Sequence, residues 1–299
     1  MRRAAVYHFA DGAGPGAGLA DALGLPGQMI DVRRFPDGES LVRVAHGATT
    51  ALLFRSLDHP NEKLVELLLA AAALRDMGAK RVVLVVPYLA YMRQDMAFLP
   101  GQAISQRVIT QLIAAHCDGL VTVDPHLHRT PSLQAISPEL ECAYVSAAST
   151  LADLLRPDLV PGTVLVGPDS ESRPWVESVA RPLGCPVIVG EKTRFGDRDV
   201  TLTLPGIEQV AGQRVVLVDD MISTGGTLLH SAAQLLAAGA TGVEAVTAHC
   251  LASHDDLARL KAGGIERVRA TDTVAGPTVA AAMAPALAEA IRGTWGADL

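Results

Sequence analysis

Short apolar runs alternate with amphipathic stretches along most of the chain. The runs are rich in β-branched residues, as is typical of buried parallel strands. They predict strands at residues 51–57, 81–87, 120–123, 163–166, 186–189, 214–218 and 243–248. Apolar residues recur at helical spacing over 61–77, 104–117 and 228–238. Strands that alternate with helices predict an α/β fold, with a mainly parallel sheet flanked by helices. The glycine-rich stretch 11–18 lacks the GxGxxG spacing and predicts a loop.

Two stretches far apart in the chain repeat one pattern. Residues 75–82 and 236–243 each combine a helix end, a Gly-Ala pair and the start of a strand. The repeat suggests a weak internal duplication, and 299 residues are enough for two domains. We therefore expect one domain at residues 1–144 and a second at 145–299, with the last residues packing back on the first domain.

Composition narrows the class of protein. With 32 acidic against 25 basic residues, the net charge of −7 argues against binding a nucleic-acid backbone. No apolar run approaches the roughly 18 residues that span a bilayer, and no signal peptide is visible. The four cysteines show no zinc-like spacing. We expect a cytoplasmic protein with no membrane or nucleic-acid partner.

The clearest chemical signal follows the strand at 214–218. Asp219 and Asp220 stand at its end, and the turn Ser223-Thr224-Gly225-Gly226-Thr227 leads into a helical pattern. Such a turn presents successive backbone N–H groups, and the helix adds its positive end, so the segment predicts a phosphate site. The two acids are suited to accept hydrogen bonds from sugar hydroxyls. An ordinary strand–turn–helix connection with helix-capping acids is the alternative.

Other reactive side chains also follow predicted strands. They are Tyr91 to Asp95, His126, Asp169 and Lys192. Ligands of open α/β sheets bind outside the carboxyl ends of the strands. This placement predicts that the functional groups collect at that edge.

The segment 219–227 resembles the phosphoribosyl-pyrophosphate-binding motif of the phosphoribosyltransferase superfamily. Four further segments narrow the resemblance to the ribose-phosphate pyrophosphokinase family: Phe35-Pro36-Asp37-Gly38-Glu39, Tyr91-Met92-Arg93-Gln94-Asp95, Val121-Thr122-Val123-Asp124-Pro125-His126 and Lys192-Thr193-Arg194. The five segments occur in the family's order. The resemblance implies two phosphoribosyltransferase-like domains and transfer of the diphosphoryl group of ATP to the anomeric hydroxyl of ribose 5-phosphate.

The resemblance also implies a role for each matched residue. Lys192 and Arg194 would be catalytic, on a flexible loop. ATP would be bound by Phe35, Asp37, Gly38, Glu39, Arg93 and Gln94. Ribose 5-phosphate would be bound by Arg194, Asp219, Asp220, Ser223, Thr224, Gly225, Gly226 and Thr227. His126 would be a ligand of one Mg²⁺ ion, and Asp169 would serve a second. The loop at 35–39 would reach a neighbouring subunit, which implies a homo-oligomer, either dimer or hexamer.

Residue chemistry alone leaves blander interpretations open. Lys192 and Arg194 could be solvated surface cations, although Lys192 is one of only four lysines in an arginine-rich chain. Imidazole is an unusual Mg²⁺ ligand, so His126 could instead bond a phosphate. The segment 36–38 is a good β-turn sequence in its own right.

The sequence departs from the family at two places. Pro125 stands where the family has Leu, and Glu171-Ser172 stand where it often has a Gly-rich pair. The roles of Asp124, His128 and Arg129 stay open.

Two other functions compete with an active diphosphokinase. A non-catalytic regulatory homologue would have lost the metal and Lys-x-Arg positions, which this chain keeps. A phosphoribosyltransferase would explain residues 219–227. It would leave residues 35–39, Arg93, Gln94 and a second domain without purpose.

Overall fold

The computed structural model describes residues 2–127, 129–194 and 200–299. For residues 192–194 and 200–202 it describes the backbone alone. His128 and residues 195–199 lie outside the described residues. The chain divides into two compact units. The first comprises Met1–Val145 and Ala282–Leu299, and the second comprises Ser146–Ala281.

Sixteen strands and eight α-helices make up the described chain. The strands are β1 Arg2–His8, β2 Gly27–Met29, β3 Asp31–Arg34, β4 Ser40–Arg43, β5 Ala48–Phe54, β6 Arg81–Val86, β7 Gly119–Val123, β8 Glu141–Val145, β9 Val164–Gly167, β10 Val187–Val189, β11 Glu191–Arg194, β12 Val200–Thr203, β13 Arg214–Ile222, β14 Gly242–Cys250, β15 Ile265–Thr271 and β16 Val279–Ala281. The helices are α1 Ala13–Leu23, α2 Pro60–Asp76, α3 Ser105–Ala114, α4 Ala148–Leu155, α5 Arg173–Ala180, α6 Gly226–Ala237, α7 His254–Ala262 and α8 Ala284–Trp295.

Each unit is built on one parallel sheet. The first has the strand order β2-β1-β5-β6-β7-β8, and the second has the order β10-β9-β13-β14-β15-β16. Every pairing within these two sheets is parallel. The predicted α/β class, with mainly parallel sheets and flanking helices, is confirmed.

The two units share one topology. In each, an antiparallel hairpin follows the edge strand: β3–β4 after β2, and β11–β12 after β10. The repeated sequence pattern falls on equivalent elements, since residues 75–82 join α2 to β6 and residues 236–243 join α6 to β14. The weak sequence echo thus coincides with an identical strand order.

The central strands are buried because their side chains are apolar on both faces. In β6 every residue after Arg81 is buried, and in β13 residues 215–218 are buried. A parallel sheet covered by helices on both faces requires such continuous apolar runs. This requirement explains why the strands were visible in the sequence.

The expected loop at residues 11–18 is wrong. A short 3-10 turn, Ala10–Gly12, leads directly into α1. A Cβ at Gly16 would lie 2.5 Å from the Cβ of His8 on β1, so only glycine lets the helix approach the strand this closely. Close packing on the sheet therefore outweighs the low helix propensity of glycine.

The predicted strand at 214–218 is too short. β13 continues to Ile222 because β14 supplies partners along its whole length, pairing Asp219 with Thr247 and Ile222 with Cys250. β9 pairs β13 only as far as Leu217. Asp219 and Asp220 therefore lie within the strand, in the part that extends beyond its neighbour β9.

The C-terminal helix α8 belongs to the first unit. It packs against α1 and β8 and buries Ile291 and Trp295. The indole N–H of Trp295 donates a hydrogen bond to Glu141 Oε2 at 2.6 Å. The second unit is thus an insertion between two parts of the first. Among the described residues, no helix has the length and apolarity needed to cross a bilayer.

Candidate active site

The turn at residues 223–227, here called the phosphate turn, connects β13 to α6. Gly225 is the N-cap of α6 and has left-handed dihedrals, φ 74° and ψ 12°. Its carbonyl accepts the N–H of Leu229 at 2.9 Å, which closes the first helical turn. A Cβ at Gly225 would lie 2.6 Å from Leu260 Cδ2. Both the backbone conformation and the packing therefore require glycine.

The first turn of α6 offers backbone N–H groups to a ligand. The first N–H groups of a helix have no intrahelical acceptor, and a glycine N-cap has no side chain to satisfy them. No acidic residue lies in this first turn, and a Cβ at Gly226 would meet nothing within 4 Å. The open approach and the positive helix end suit a phosphate.

The equivalent turn in the first unit differs in the features that matter for an anion. It precedes α2, where the N-cap is His59 with φ 50° and Pro60 occupies the first helical position. Proline has no N–H group. Of the two equivalent turns, the one before α6 therefore has glycine at the helix start, and the one before α2 has His59 and Pro60 there.

Three carboxylates interact at the carboxyl end of the second sheet. Burial raises the pKa of Asp219 well above its ordinary value, and the charges of Asp220 and Asp169 raise it further. The N–H of Asp220 donates to Asp219 Oδ1 at 3.0 Å, which works in the opposite direction but does not cancel the shift. These three carboxylates are here called the acidic cluster, and two of them, Asp219 and Asp220, lie on β13 just before the phosphate turn.

Asp169 is held by a capping box. Its Oδ1 accepts the N–H groups of Glu171 and Ser172, both at 3.1 Å, and its own N–H donates to Ser172 Oγ at 3.3 Å. Ser172 is buried against Gly167, where a Cβ would lie 2.4 Å from the hydroxyl oxygen. The Ser172 hydroxyl thus fixes the main chain of Asp169, whereas the Asp169 carboxylate is held by two backbone N–H groups.

The acidic cluster has the chemistry of a magnesium site. Oxygen donors are the ligands that Mg²⁺ prefers, and it usually takes only one or two from protein carboxylates. In the described part of the chain, no three His, Cys, Asp or Glu side chains form a group that could hold a metal by themselves. Asp169 belongs to the acidic cluster of the second unit, whereas His126 belongs to the first unit.

The backbone of Lys192 and Arg194 belongs to β11. Lys192 pairs with Leu202 and Arg194 with Val200 in the antiparallel ladder with β12. The two residues therefore lie on one arm of the hairpin that follows β10. Their side chains lie outside the described part of the structure.

The tip at residues 35–39 closes the β3–β4 hairpin, here called the base hairpin. The N–H of Gly38 donates to the carbonyl of Phe35 at 3.0 Å, and Gly38 has φ 92°. Asp37 Oδ1 accepts the N–H of Glu39 at 3.2 Å. The Phe35 ring is 38% exposed, and the Arg33 guanidinium lies 5.6 Å from its centroid. The tip therefore presents an aromatic face and two carboxylates to solvent.

Gln106 organises the segment that carries Arg93 and Gln94. It is buried, and its Nε2 donates to the carbonyl of Met92 at 3.4 Å while its N–H donates to the carbonyl of Gln94 at 3.3 Å. Its Oε1 accepts the hydroxyl of Thr130 at 2.6 Å. Arg93 itself is exposed.

An ion pair joins this segment to the loop after β7. Arg129 Nη1 lies 3.0 Å from Asp95 Oδ1, whose side chain is almost fully buried. Arg129, a residue without a predicted role, therefore fixes Asp95 next to Arg93 and Gln94. His128 lies outside the described residues.

The backbone just before His126 has an unusual conformation. Asp124 follows β7 with φ 34°, and its N–H donates to the carbonyl of Val145 at 2.9 Å. The N–H of Leu127 then bonds the carbonyl of Pro125 at 2.7 Å. Non-glycine residues with positive φ are costly and cluster at functional sites. His126 is partly exposed on this tight loop.

The sequence analysis missed Gln106 and the capping role of Ser172. Gln106 shares the buried face of α3 with Thr110 and Ile113. A polar residue within an apolar helical stripe is the signal that could have revealed it, because a buried amide needs partners. Ser172 carries no comparable pattern signal.

Comparison with known proteins gives consistent matches. A model for the N-terminal domain of ribose phosphate pyrophosphokinase matches residues 16–116, and a phosphoribosyl transferase domain model matches residues 157–275. The ribose-phosphate pyrophosphokinase of Methanopyrus kandleri is 36% identical, covering 97% of this chain and 99% of its own length. That of Methanothermobacter thermautotrophicus is 32% identical over 92% of this chain and 95% of its own. The crystal structure of phosphoribosylpyrophosphate synthetase from Mycobacterium smegmatis matches with a TM-score of 0.84 and 27% identity, covering 98% of this chain and 99% of that chain.

Proposed function

The chain belongs to the ribose-phosphate pyrophosphokinase family, and from that premise we propose which residues carry the reaction. The protein is a transferase that moves the diphosphoryl group of ATP to the C1 hydroxyl of ribose 5-phosphate, giving phosphoribosyl pyrophosphate and AMP. The observation that supports the site assignment best is the left-handed Gly225 at the start of α6.

Ribose 5-phosphate binds at the phosphate turn. The N–H groups of residues 223–227 and the positive end of α6 hold the 5-phosphate. Asp219 and Asp220 accept hydrogen bonds from the ribose hydroxyls. The C1 hydroxyl is thereby oriented for in-line attack on the β-phosphorus.

ATP binds through groups of the first unit. The Phe35 ring stacks on the adenine, while Asp37 and Glu39 accept hydrogen bonds from its exocyclic amine. Gly38 gives the tip its conformation. Arg93 and Gln94 bind the phosphates and the base, in a segment that Gln106 holds in place.

Lys192 and Arg194 stabilise the charge that develops on the transferred diphosphoryl group. Arg194 also contacts ribose 5-phosphate. His126 would hold one Mg²⁺ ion and Asp169 a second, and Mg²⁺ would supply neutralisation of the phosphate charge when bound. No protein nucleophile is required, because the substrate hydroxyl attacks directly.

The division of labour follows the two units, with ATP motifs in the first and the ribose 5-phosphate turn in the second. An exposed base hairpin suits a role at a neighbouring subunit's site, so we expect a homo-oligomer, and its mass in solution distinguishes a dimer from a hexamer.

Four free cysteines fit a reducing compartment, which favours the cytoplasm.

An assay of AMP release tests the function. The protein, incubated with ribose 5-phosphate, ATP and Mg²⁺ with added inorganic phosphate, should release AMP in amounts equal to the phosphoribosyl pyrophosphate formed. Omission of ribose 5-phosphate is the control, since it removes the acceptor. No AMP above that control from the intact oligomer would refute the diphosphokinase function.

Asp219→Asn should make the protein more stable and less active. The raised pKa means that the fold disfavours the ionised carboxylate, so the substitution should increase the free energy of unfolding by about 0.5–2 kcal/mol in metal-free buffer. The increase in unfolding free energy should be larger at pH 8 than at pH 4. The cost of burying the charge and the repulsion from Asp220 and Asp169 exist only once the Asp219 carboxyl has ionised. Loss of a charged hydrogen-bond acceptor should lower kcat/KM for ribose 5-phosphate about 10- to 100-fold.

Asp255→Asn is the matched control for that substitution. Asp255 is an exposed acid in the first turn of α7, where a negative charge is favourable. It should gain no stability and keep its activity. An Asp219→Asn protein that is less stable than the wild type at pH 8 would contradict the argument.

A further inference from the structure

One buried carboxylate of α2 contacts both residues that flank the tip of the base hairpin. Glu66 is 1% exposed. Its Oε1 accepts the Ser40 hydroxyl at 2.9 Å and lies 3.3 Å from Arg34 Nη2. Arg34 and Ser40 are partners in the β3–β4 ladder and lie immediately before and after the tip at residues 35–39. A single side chain therefore clamps the hairpin where the tip begins.

A second buried charge fixes Glu66 itself. Arg55 is 5% exposed, and its Nη1 lies 2.7 Å from Glu66 Oε2. The guanidinium is held from the other side by Asp11 Oδ2 at 3.1 Å and stacks 4.0 Å from the centroid of the Phe9 ring. A planar guanidinium with ligands on several sides cannot rotate without breaking them. Arg55 thus holds Glu66 Oε2 independently of the hairpin, which contacts Oε1.

The energetics favour an ionised Glu66. Burial alone would raise its pKa, but hydrogen bonds from Arg55 and Ser40 and the charges of Arg55 and Arg34 bring the pKa below its ordinary value. Breaking a buried pair from one side is strongly destabilising, because the remaining charge is left unpaired. The clamp is therefore rigid at neutral pH.

The rest of the hairpin packs on the first unit through apolar side chains. Val32 and Val42 pair in the ladder and pack on the core of the first unit. This pair lies farther from the tip, two residues along each strand from Arg34 and Ser40. Near the tip the hairpin also makes polar contacts with α2. Besides the Glu66 contacts, Arg34 Nη2 lies 2.7 Å from Oε2 of the exposed Glu62.

The position that Arg55 occupies in the first unit carries a different residue in the second unit. When the two sheets are aligned on their shared register, Arg55 at the end of β5 corresponds to Asp219 of β13. In the second unit that position carries Asp219, a proposed ligand of the sugar hydroxyls. In the first unit the side chain at that position pairs with Glu66.

We propose that Glu66 is a positioning residue for adenine recognition, which sets the orientation of Phe35, Asp37 and Glu39 through Arg34 and Ser40. The inference rests on the proposed role of the base hairpin in binding ATP. Glu66 itself does not touch the nucleotide. Its removal should weaken the choice of base without affecting ribose 5-phosphate.

The test compares steady-state constants of Glu66→Gln, Ser40→Ala and Ser40→Thr in the intact enzyme. Loss of one or two charged hydrogen bonds should raise KM for ATP about 10-fold in Glu66→Gln and about threefold in Ser40→Ala. The preference for ATP over GTP, as a ratio of kcat/KM values, should fall by similar factors. KM for ribose 5-phosphate should stay within about twofold, and Ser40→Thr, which keeps the hydroxyl, should restore the wild-type values.

Asp118→Asn is the matched control, because Asp118 binds Arg75 and the N–H of Val82 in the same unit but contacts neither the Glu66–Arg55 pair nor the hairpin. It should lower thermal stability and leave the ATP/GTP preference unchanged. If Glu66→Gln does not fold, the Ser40 pair decides the question alone. The inference is overturned if active wild-type enzyme and these variants choose nucleotides equally, or if Asp118→Asn loses selectivity as much as Ser40→Ala. Failure of the wild type to release AMP would instead refute the proposed function.

Discussion

Lys192→Ala should lower kcat by about 10³- to 10⁵-fold while the affinity for ATP stays within about tenfold. An ammonium that stabilises the transferring diphosphoryl group contributes mainly in the transition state, so its loss should appear in kcat and not in ground-state binding. Rapid-quench measurement of AMP formation gives the rate, and equilibrium binding of ATP gives the affinity.

Two variants sharpen this expectation. Lys192→Arg should not restore full activity, since a planar guanidinium differs from a compact ammonium in geometry and hydration. Lys261→Ala removes an exposed lysine of α7 and should behave as the wild type. Turnover near the wild-type rate in Lys192→Ala would remove this residue from the mechanism.

Gly225→Ala should lower kcat/KM for ribose 5-phosphate at least 100-fold. An L-residue at φ 74° costs about 1–2 kcal/mol, and the new Cβ would lie 2.6 Å from Leu260 Cδ2. Both effects displace the N–H groups of the phosphate turn, and misplacement by about 1 Å can cost a factor of 10². Kinetics with varied ribose 5-phosphate, together with thermal unfolding, measure the two consequences.

Gly184→Ala separates strain from function. Gly184 lies in the same unit with φ 67°, and a Cβ there would meet nothing within 4 Å. It should lose a similar 1–2 kcal/mol of stability from backbone strain and keep its activity. If Gly184→Ala and Gly225→Ala lose activity equally, instability accounts for the effect and the phosphate turn has no special role.

The sequence predicted β5, β6, β7, β9, β13 and β14 because burial on both faces leaves an unbroken apolar run. It missed β1, which is also central and is buried from Ala4 to His8. It did not predict β15, in which Arg267 and Arg269 interrupt the pattern. Arg269 is buried because it pairs with Glu244 at 3.2 Å and with Asp158 at 3.0 Å. β2 and β16 have three residues each, too few for a periodicity, and they depend on a neighbouring strand for their existence.

In the candidate site, too, some residues were predictable from the sequence and others were not. The phosphate turn was predictable because glycine, acid and helix pattern lie within a few consecutive residues. Glu66 was not, because its partner Ser40 lies 26 residues away and its own surroundings in α2 look like an ordinary apolar helix. Long-range polar contacts leave no local pattern. Supporting residues are therefore harder to find than the ligand-binding turns they support.

The insertion of one unit within the other sets an order of assembly during synthesis on the ribosome. Residues 146–281 emerge as a continuous stretch and hold every strand of their own sheet. The earlier unit must wait for Ile291 and Trp295, which cover α1 and the edge at β8. The unit that begins earlier in the chain is thus completed later, and its nascent form exposes an apolar surface until residues 282–299 have been made.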